Sequence, residues 1–113
     1  MLEVREYLDS SGRSPFTAWL LALNVRAAAK VATALERMAD GNLSNVKSVG
    51  NGVLEYKIDF GPGYRLYFGR DGERLVILLA GGTKKRQRAD VRHAQERWAD
   101  YRKRKTKGEA EWH

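Results

Sequence analysis

Between Gly52 and Thr83 the chain reads GVLEYKIDFGPGYRLYFGRDGERLVILLAGGT, and no other segment restricts the fold as much. In its first run Leu54, Tyr56, Ile58 and Phe60 alternate with Glu55, Lys57 and Asp59, so a strand there has one apolar and one charged face. Gly61-Pro62-Gly63 reverses the chain. Tyr64, Leu66 and Phe68 then continue the apolar face and leave Arg65 and Tyr67 on the polar one. Asp71-Gly72 has the composition of a two-residue hairpin turn. The next run, LVILLA, is apolar on both faces, as a central strand must be, and Gly81-Gly82 is expected to end it. Three hairpin-linked antiparallel strands are therefore predicted.

The flanking segments supply helices. Residues 2–8, LEVREYL, alternate well enough for a first strand, which Ser10-Ser11-Gly12 breaks. Ser14-Pro15 has the form of an N-cap followed by proline at the first helical position, and Phe16, Trp19, Leu20 and Leu23 give that helix one buried stripe. Asn24 can cap a second helix with Ala28, Val31, Ala32, Leu35, Met38 and Ala39 inward, and Gly41 stops it. Residues around Asn45 and Gly50-Asn51-Gly52 read as loop. Thr83 can cap a last helix whose stripe is Val91, Ala94, Trp98 and Tyr101. From Arg102 the stripe is lost. The expectation is one small α+β domain over residues 1–101, with a twisted, mostly antiparallel sheet, two N-terminal helices packed on one face and a C-terminal helix. Residues 102–113 are expected to form a basic, flexible tail.

The chain has 113 residues, enough for one modest core. No apolar run reaches the length of a bilayer span, and the N-terminus, with acids at Glu3 and Glu6, lacks the basic lead of an export signal. Cysteine is absent, which removes disulfides, thiolate nucleophiles and Cys-based zinc sites and fits a cytoplasmic location. The net charge of +7 is unevenly placed. Residues 84–107 hold eleven Lys and Arg against three acids, whereas the rest of the chain holds ten against eleven. Such a concentration suits a polyanionic partner, nucleic acid before membrane.

The polar face of the hairpin is where chemistry can gather. Directly opposed residues in antiparallel strands have Cβ atoms about 5 Å apart. If Phe60 pairs with Tyr64, Asp59 faces Arg65 and Lys57 faces Tyr67. A cross-strand ion pair is the plain account of that cluster. A phosphate site is the functional one, because an arginine fork on an inner strand binds phosphate bidentately and the basic residues Lys84, Lys85 and Arg86 begin the last helix nearby. With no acidic metal cluster and no paired histidines, chemistry there would rest on stabilising negative charge at phosphorus. His93 and Asp90, three residues apart on the last helix, are acid or base candidates, and His113 ends the chain.

These pieces together, WLLAL, then GNGVLEYKIDFGPGYRLYF, then LLAGGTKKRQRADVRHA, resemble the RelE/ParE superfamily of toxins, most nearly its phage-derived HigB-like branch, over about residues 1–101. The resemblance implies the toxin of a type II toxin–antitoxin pair, acting as a ribosome-dependent mRNA endonuclease that needs no cofactor or metal. Its implied partners are the ribosome with its mRNA and a cognate, helix-turn-helix, HigA-like antitoxin. It implies catalytic roles for Lys57, Arg65 and Lys84 and RNA or phosphate contacts from Arg86 and Gln87; by position and chemistry Tyr67, Lys85 and Arg92 are further candidates for RNA or phosphate contact, and His93 or Asp90 for acid or base work. Where RelE-like members carry a C-terminal tyrosine, this chain has Arg92. The alternatives are a ParE-like gyrase inhibitor and a noncatalytic RNA-binding module.

Overall fold

The computed structural model describes residues 1–106. In chain order they form β1 (Glu3–Glu6), α1 (Pro15–Leu21), α2 (Val25–Ala39), β2 (Val46–Gly50), β3 (Val53–Ile58), β4 (Tyr64–Asp71), β5 (Leu75–Thr83), a 3₁₀ turn (Lys84–Arg86) and α3 (Gln87–Thr106). The sheet order is β1-β5-β4-β3-β2, with β1 parallel to β5 and every other neighbouring pair antiparallel. This is the small single-domain α+β arrangement that the hairpin pattern predicted.

Both caps form as read. The Ser14 hydroxyl accepts from Thr17 N at 3.0 Å, and Asn24 Oδ1 accepts from Ala27 N at 2.9 Å. Gly41, at φ 86°, closes α2 by donating to the Met38 carbonyl while Asn42 N donates to that of Arg37. Asn24→Ala is expected to lower unfolding free energy by about 1 kcal/mol in a denaturant titration, because the Ala27 amide loses its partner.

The sheet is buried on both faces. Phe16, Val31, Met38, Tyr56, Leu66 and Phe68 belong to one core, shared by α1, α2 and the sheet. Tyr7, Val53, Tyr67, Leu79, Trp98 and Tyr101 belong to a second, shared with α3. The strand face read as polar is thus the one α3 covers, and Glu55 and Arg65 are buried there at 1% and 5% exposure.

Several local expectations are corrected. Residues 46–50, read as loop, are the edge strand β2, joined to β3 by Asn51-Gly52, both left-handed at φ 55° and 83°. The β4–β5 connection holds three residues rather than two, since Asp71 pairs with Leu75. Gly81 and Gly82 lie inside β5 instead of ending it. A Cβ on Gly81 would collide with the Trp19 ring and one on Gly82 with the Asp90 carboxylate, so close approach is what both positions require. Thr83 has extended cap geometry but makes no side-chain cap bond, and the 3₁₀ turn intervenes before α3. Tyr67 of β4 pairs with Ala80 of β5 and Phe68 with Leu78, so Leu79 is an extra, bulged residue of β5, and its carbonyl accepts from Arg97 Nη1 at 2.8 Å.

The helix continues to Thr106, five residues past the expected domain end; the rest of the expected tail, from Lys107, lies outside the described residues. Polar contacts rather than an apolar stripe hold this extension. The Arg104 guanidinium lies 5.2 Å from the Tyr7 ring centre and donates to Asp100 at 2.6 Å, and Lys105 pairs with Asp71. Tyr7 also donates to Asp100, at 2.6 Å, and its hydroxyl is pushed up to about 12, by burial first and then by that carboxylate. Asp100 is held below the usual carboxylate range, chiefly by the Tyr7 bond.

Candidate functional site

Loop length decides how the β3–β4 hairpin aligns its side chains. Ile58 pairs with Tyr64, Lys57 with Arg65 and Glu55 with Tyr67. The expected Asp59–Arg65 and Lys57–Tyr67 pairs do not form, because residues 59–63 all belong to the turn. Phe60 N donates to the Ile58 carbonyl and Gly63 N to the Phe60 carbonyl, both at 3.0 Å, with Gly61 and Gly63 left-handed. Asp59 is left exposed in that turn.

The partner of Arg65 is Glu55, diagonal to it across the strands, with Nε 3.6 Å from Oε1. Glu55 is the residue that sequence reasoning missed. Its carboxylate also lies 3.7 Å from Lys47 Nζ and accepts from Gln87 Nε2 at 2.7 Å. The signal was present: a glutamate between Leu54 and Tyr56 on the face that carries Arg65 and Tyr67. Tyr67 is fully buried, its hydroxyl has no hydrogen-bond partner among the described residues, and burial, followed by the Glu55 charge, drives its pKa above the ordinary phenol value.

At the turn the two halves of the expected site meet. The Gly63 carbonyl accepts from Arg65 Nη1 at 3.3 Å and from the backbone N–H of Lys84 at 2.9 Å. This ties the GPG turn to the start of the basic 3₁₀ turn. Lys57, Lys84, Lys85 and Arg86 are exposed around it. Gln87, half-buried at the first position of α3, joins the cluster through Glu55.

The remaining candidates stand further along α3. Asp90 packs over Gly82, which pairs with Arg65 across β4 and β5. Its Oδ2 is buried without a hydrogen-bond partner among the described residues, and burial raises its pKa against the opposing charges of Arg86, His93 and Arg97. Among the described residues Arg86 makes no ion-pair contact with it. Arg92 is exposed and His93 half-buried, and neither is hydrogen-bonded to the Glu55 cluster. His113 lies outside the described residues. Among the described residues no three His, Asp or Glu side chains converge as a metal site. A cleft of about 660 Å³ opens at the other end of β4 beside Asp71, Trp98 and Lys105, away from Arg65.

This arrangement can do one kind of chemistry readily: hold an anion at exposed lysines with a buried guanidinium just beneath. Comparison with known proteins gives it a context. A protein of Haemophilus influenzae described only as uncharacterized is 44% identical over 80 residues, which cover 70% of this chain and 81% of that protein. The profile of the family described as phage-derived protein, Gp49-like, matches residues 18–99, a span that includes most of both cores, the GPG turn and the basic 3₁₀ turn, and the chain belongs to that family.

Proposed function

We propose that the chain is the toxin of a type II toxin–antitoxin pair, related to the RelE/ParE superfamily through its HigB-like branch, and that it cuts mRNA on the ribosome. The observation that carries this reading is the junction at the Gly63 carbonyl, where the Arg65 strand and the Lys84 turn share one acceptor. Two sequence-distant basic segments are thereby held at one place on rigid elements, as a phosphate site requires.

In the proposed reaction the ribose 2′-oxygen gives up its proton and bonds to the adjacent phosphorus. The bond from phosphorus to the 5′-oxygen breaks and that oxygen takes up a proton, leaving a 2′,3′-cyclic phosphate and a 5′-hydroxyl. Negative charge grows on the non-bridging oxygens as this happens. Lys57 and Lys84 contact them, while Arg65 acts from beneath, where the low dielectric strengthens its field. Lys85, Arg86 and Arg92 are exposed and extend the RNA-binding surface, with Gln87 at its root. Tyr67, fully buried, backs Glu55 and Arg65 without touching RNA. Asp90 and His93 are the acid and base candidates. The ribosome and a helix-turn-helix, HigA-like antitoxin are the proposed partners, and the cytoplasm the proposed location. Among the described residues no helix is long and apolar enough to cross a membrane.

Primer extension on mRNA in a translating extract tests the proposal. Cuts within codons are expected, and Lys57→Ala is expected to slow them about 100-fold, the usual cost of losing one charge-stabilising group. The 5% exposure of Arg65 favours one other reading, RNA binding without cleavage. Ribosome binding with no cuts would establish that reading, and DNA damage with no cuts would establish a gyrase inhibitor.

A further inference from the structure

A glutamate at 1% exposure in an inner strand runs against strand propensity and loses its hydration. Its neighbours do not fully repay that loss. Arg65 Nε, 3.6 Å away, is itself buried without a hydrogen bond, so the ion pair lacks the close geometry that offsets desolvation. Replacing the whole pair by apolar residues of similar size would serve stability at least as well. What the carboxylate does supply is placement. Its three partners come from three elements, Lys47 on β2, Arg65 on β4 and Gln87 on α3.

Gln87 is the residue at which the basic 3₁₀ turn passes into α3, so its 2.7 Å bond to Glu55 fixes where Lys84, Lys85 and Arg86 stand relative to β3. On the other side, Arg65 has Glu55 at its Nε and the Gly63 carbonyl at its Nη1. That carbonyl is also where Lys84 N is anchored. One carboxylate therefore stands behind both basic segments. Among the described residues the cations within ion-pair distance of it are Lys47 and Arg65, while Lys57 and Lys84 are exposed and in no ion pair.

We propose that Glu55 is a positioning residue for the phosphate-facing cations, acting through Gln87 on the basic turn and through Arg65 on the Gly63 junction; the role rests on reading the chain as an mRNA-cutting toxin. It touches no substrate. Its effect is to hold Arg65 and Lys84 at one spacing, which matters most when charge at phosphorus is greatest.

The test is steady-state cleavage on mRNA-programmed ribosomes by wild type, Glu55→Gln and Gln87→Ala, with thermal unfolding of each. Glu55→Gln keeps the shape and one acceptor oxygen for Gln87 while removing the charge. Its kcat, per folded enzyme, is expected to fall at least about tenfold with KM within about threefold, since displaced catalytic groups cost rate more than binding, while Tm falls because Arg65 is left buried without its counter-charge. Gln87→Ala leaves the buried pair in place and is expected to lower kcat in the same sense by a smaller factor. A Glu55→Gln enzyme within about twofold of wild-type kcat overturns the proposal, as does a loss of rate fully matched by a loss of folded protein. Should wild type cut no mRNA, the cleavage reading fails instead. The placement role is then read from affinity for a single-stranded oligouridylate: the double variant should bind no more weakly than the weaker single one, and independent, multiplicative losses overturn it.

Discussion

Replacing Arg65 with alanine is expected to lower cleavage on the ribosome by at least about 10²–10³-fold, the range for losing a preorganised charge-stabilising group. The guanidinium is the only cation of the Lys57, Arg65 and Lys84 set that is buried, at 5% exposure, so its field is the least screened by water. The same burial gives the substitution a second effect. Glu55 would keep Lys47 at 3.7 Å and its Gln87 bond but lose the partner on β4, and truncating one member of a buried pair costs about 3–5 kcal/mol. An open strand arginine would carry no such cost. Arg65→Ala must therefore be read beside Arg65→Lys, which keeps the charge and loses the fork. The lysine variant is expected to fold as wild type does and to lose at least about tenfold in rate. The double variant Arg65→Ala with Glu55→Gln should recover thermal stability without recovering cleavage. Full activity in a folded Arg65→Ala protein would remove Arg65 from the mechanism.

That mixture of chemical and structural roles explains what the sequence could disclose. Periodicity and turn chemistry are local, and they gave the meander, the Ser14 and Asn24 caps and the buried stripe of α3. β2 escaped because its apolar residues are few and divided: Val46 packs on one core and Val49 on the other. The hairpin register depended on how many residues the GPG turn absorbs, which no alternation pattern encodes. The end of α3 is held by Tyr7, Asp71 and Asp100, partners chosen by tertiary packing. For the candidate site, the cationic residues could be picked out by type, since Lys57, Arg65 and Lys84 announce an anion. Glu55 could not. Its importance comes from burial under α3, and alternation alone assigns that face to solvent.

Gly81→Ala is expected to be strongly destabilising, by about 3 kcal/mol or more, with Tm falling by more than about 10 °C. A methyl there would enter the Trp19 ring. β5 cannot retreat, because Gly81 pairs with Leu66 on β4 and the strand is hydrogen-bonded to β1 on its other side. Trp19 is also confined. Its ring centre lies 5.7 Å from that of Phe16 and 6.3 Å from that of Tyr64, the latter at the first residue of β4. Relief has to come from moving α1 away from the first core, which opens space around Phe16. The displacement also reaches the candidate site, since the next residue, Gly82, pairs with Arg65 and supports Asp90. Cleavage should therefore fall along with stability, unlike the Asn24→Ala variant, which loosens a helix end remote from Arg65. Trp19→Leu alone should be destabilising, yet the double variant should be more stable than Gly81→Ala, because the smaller side chain frees the space the methyl needs. Calorimetry of the four proteins decides the matter: additive losses would mean that the indole and the glycine do not limit each other, and that the approach of α1 to β5 is set elsewhere.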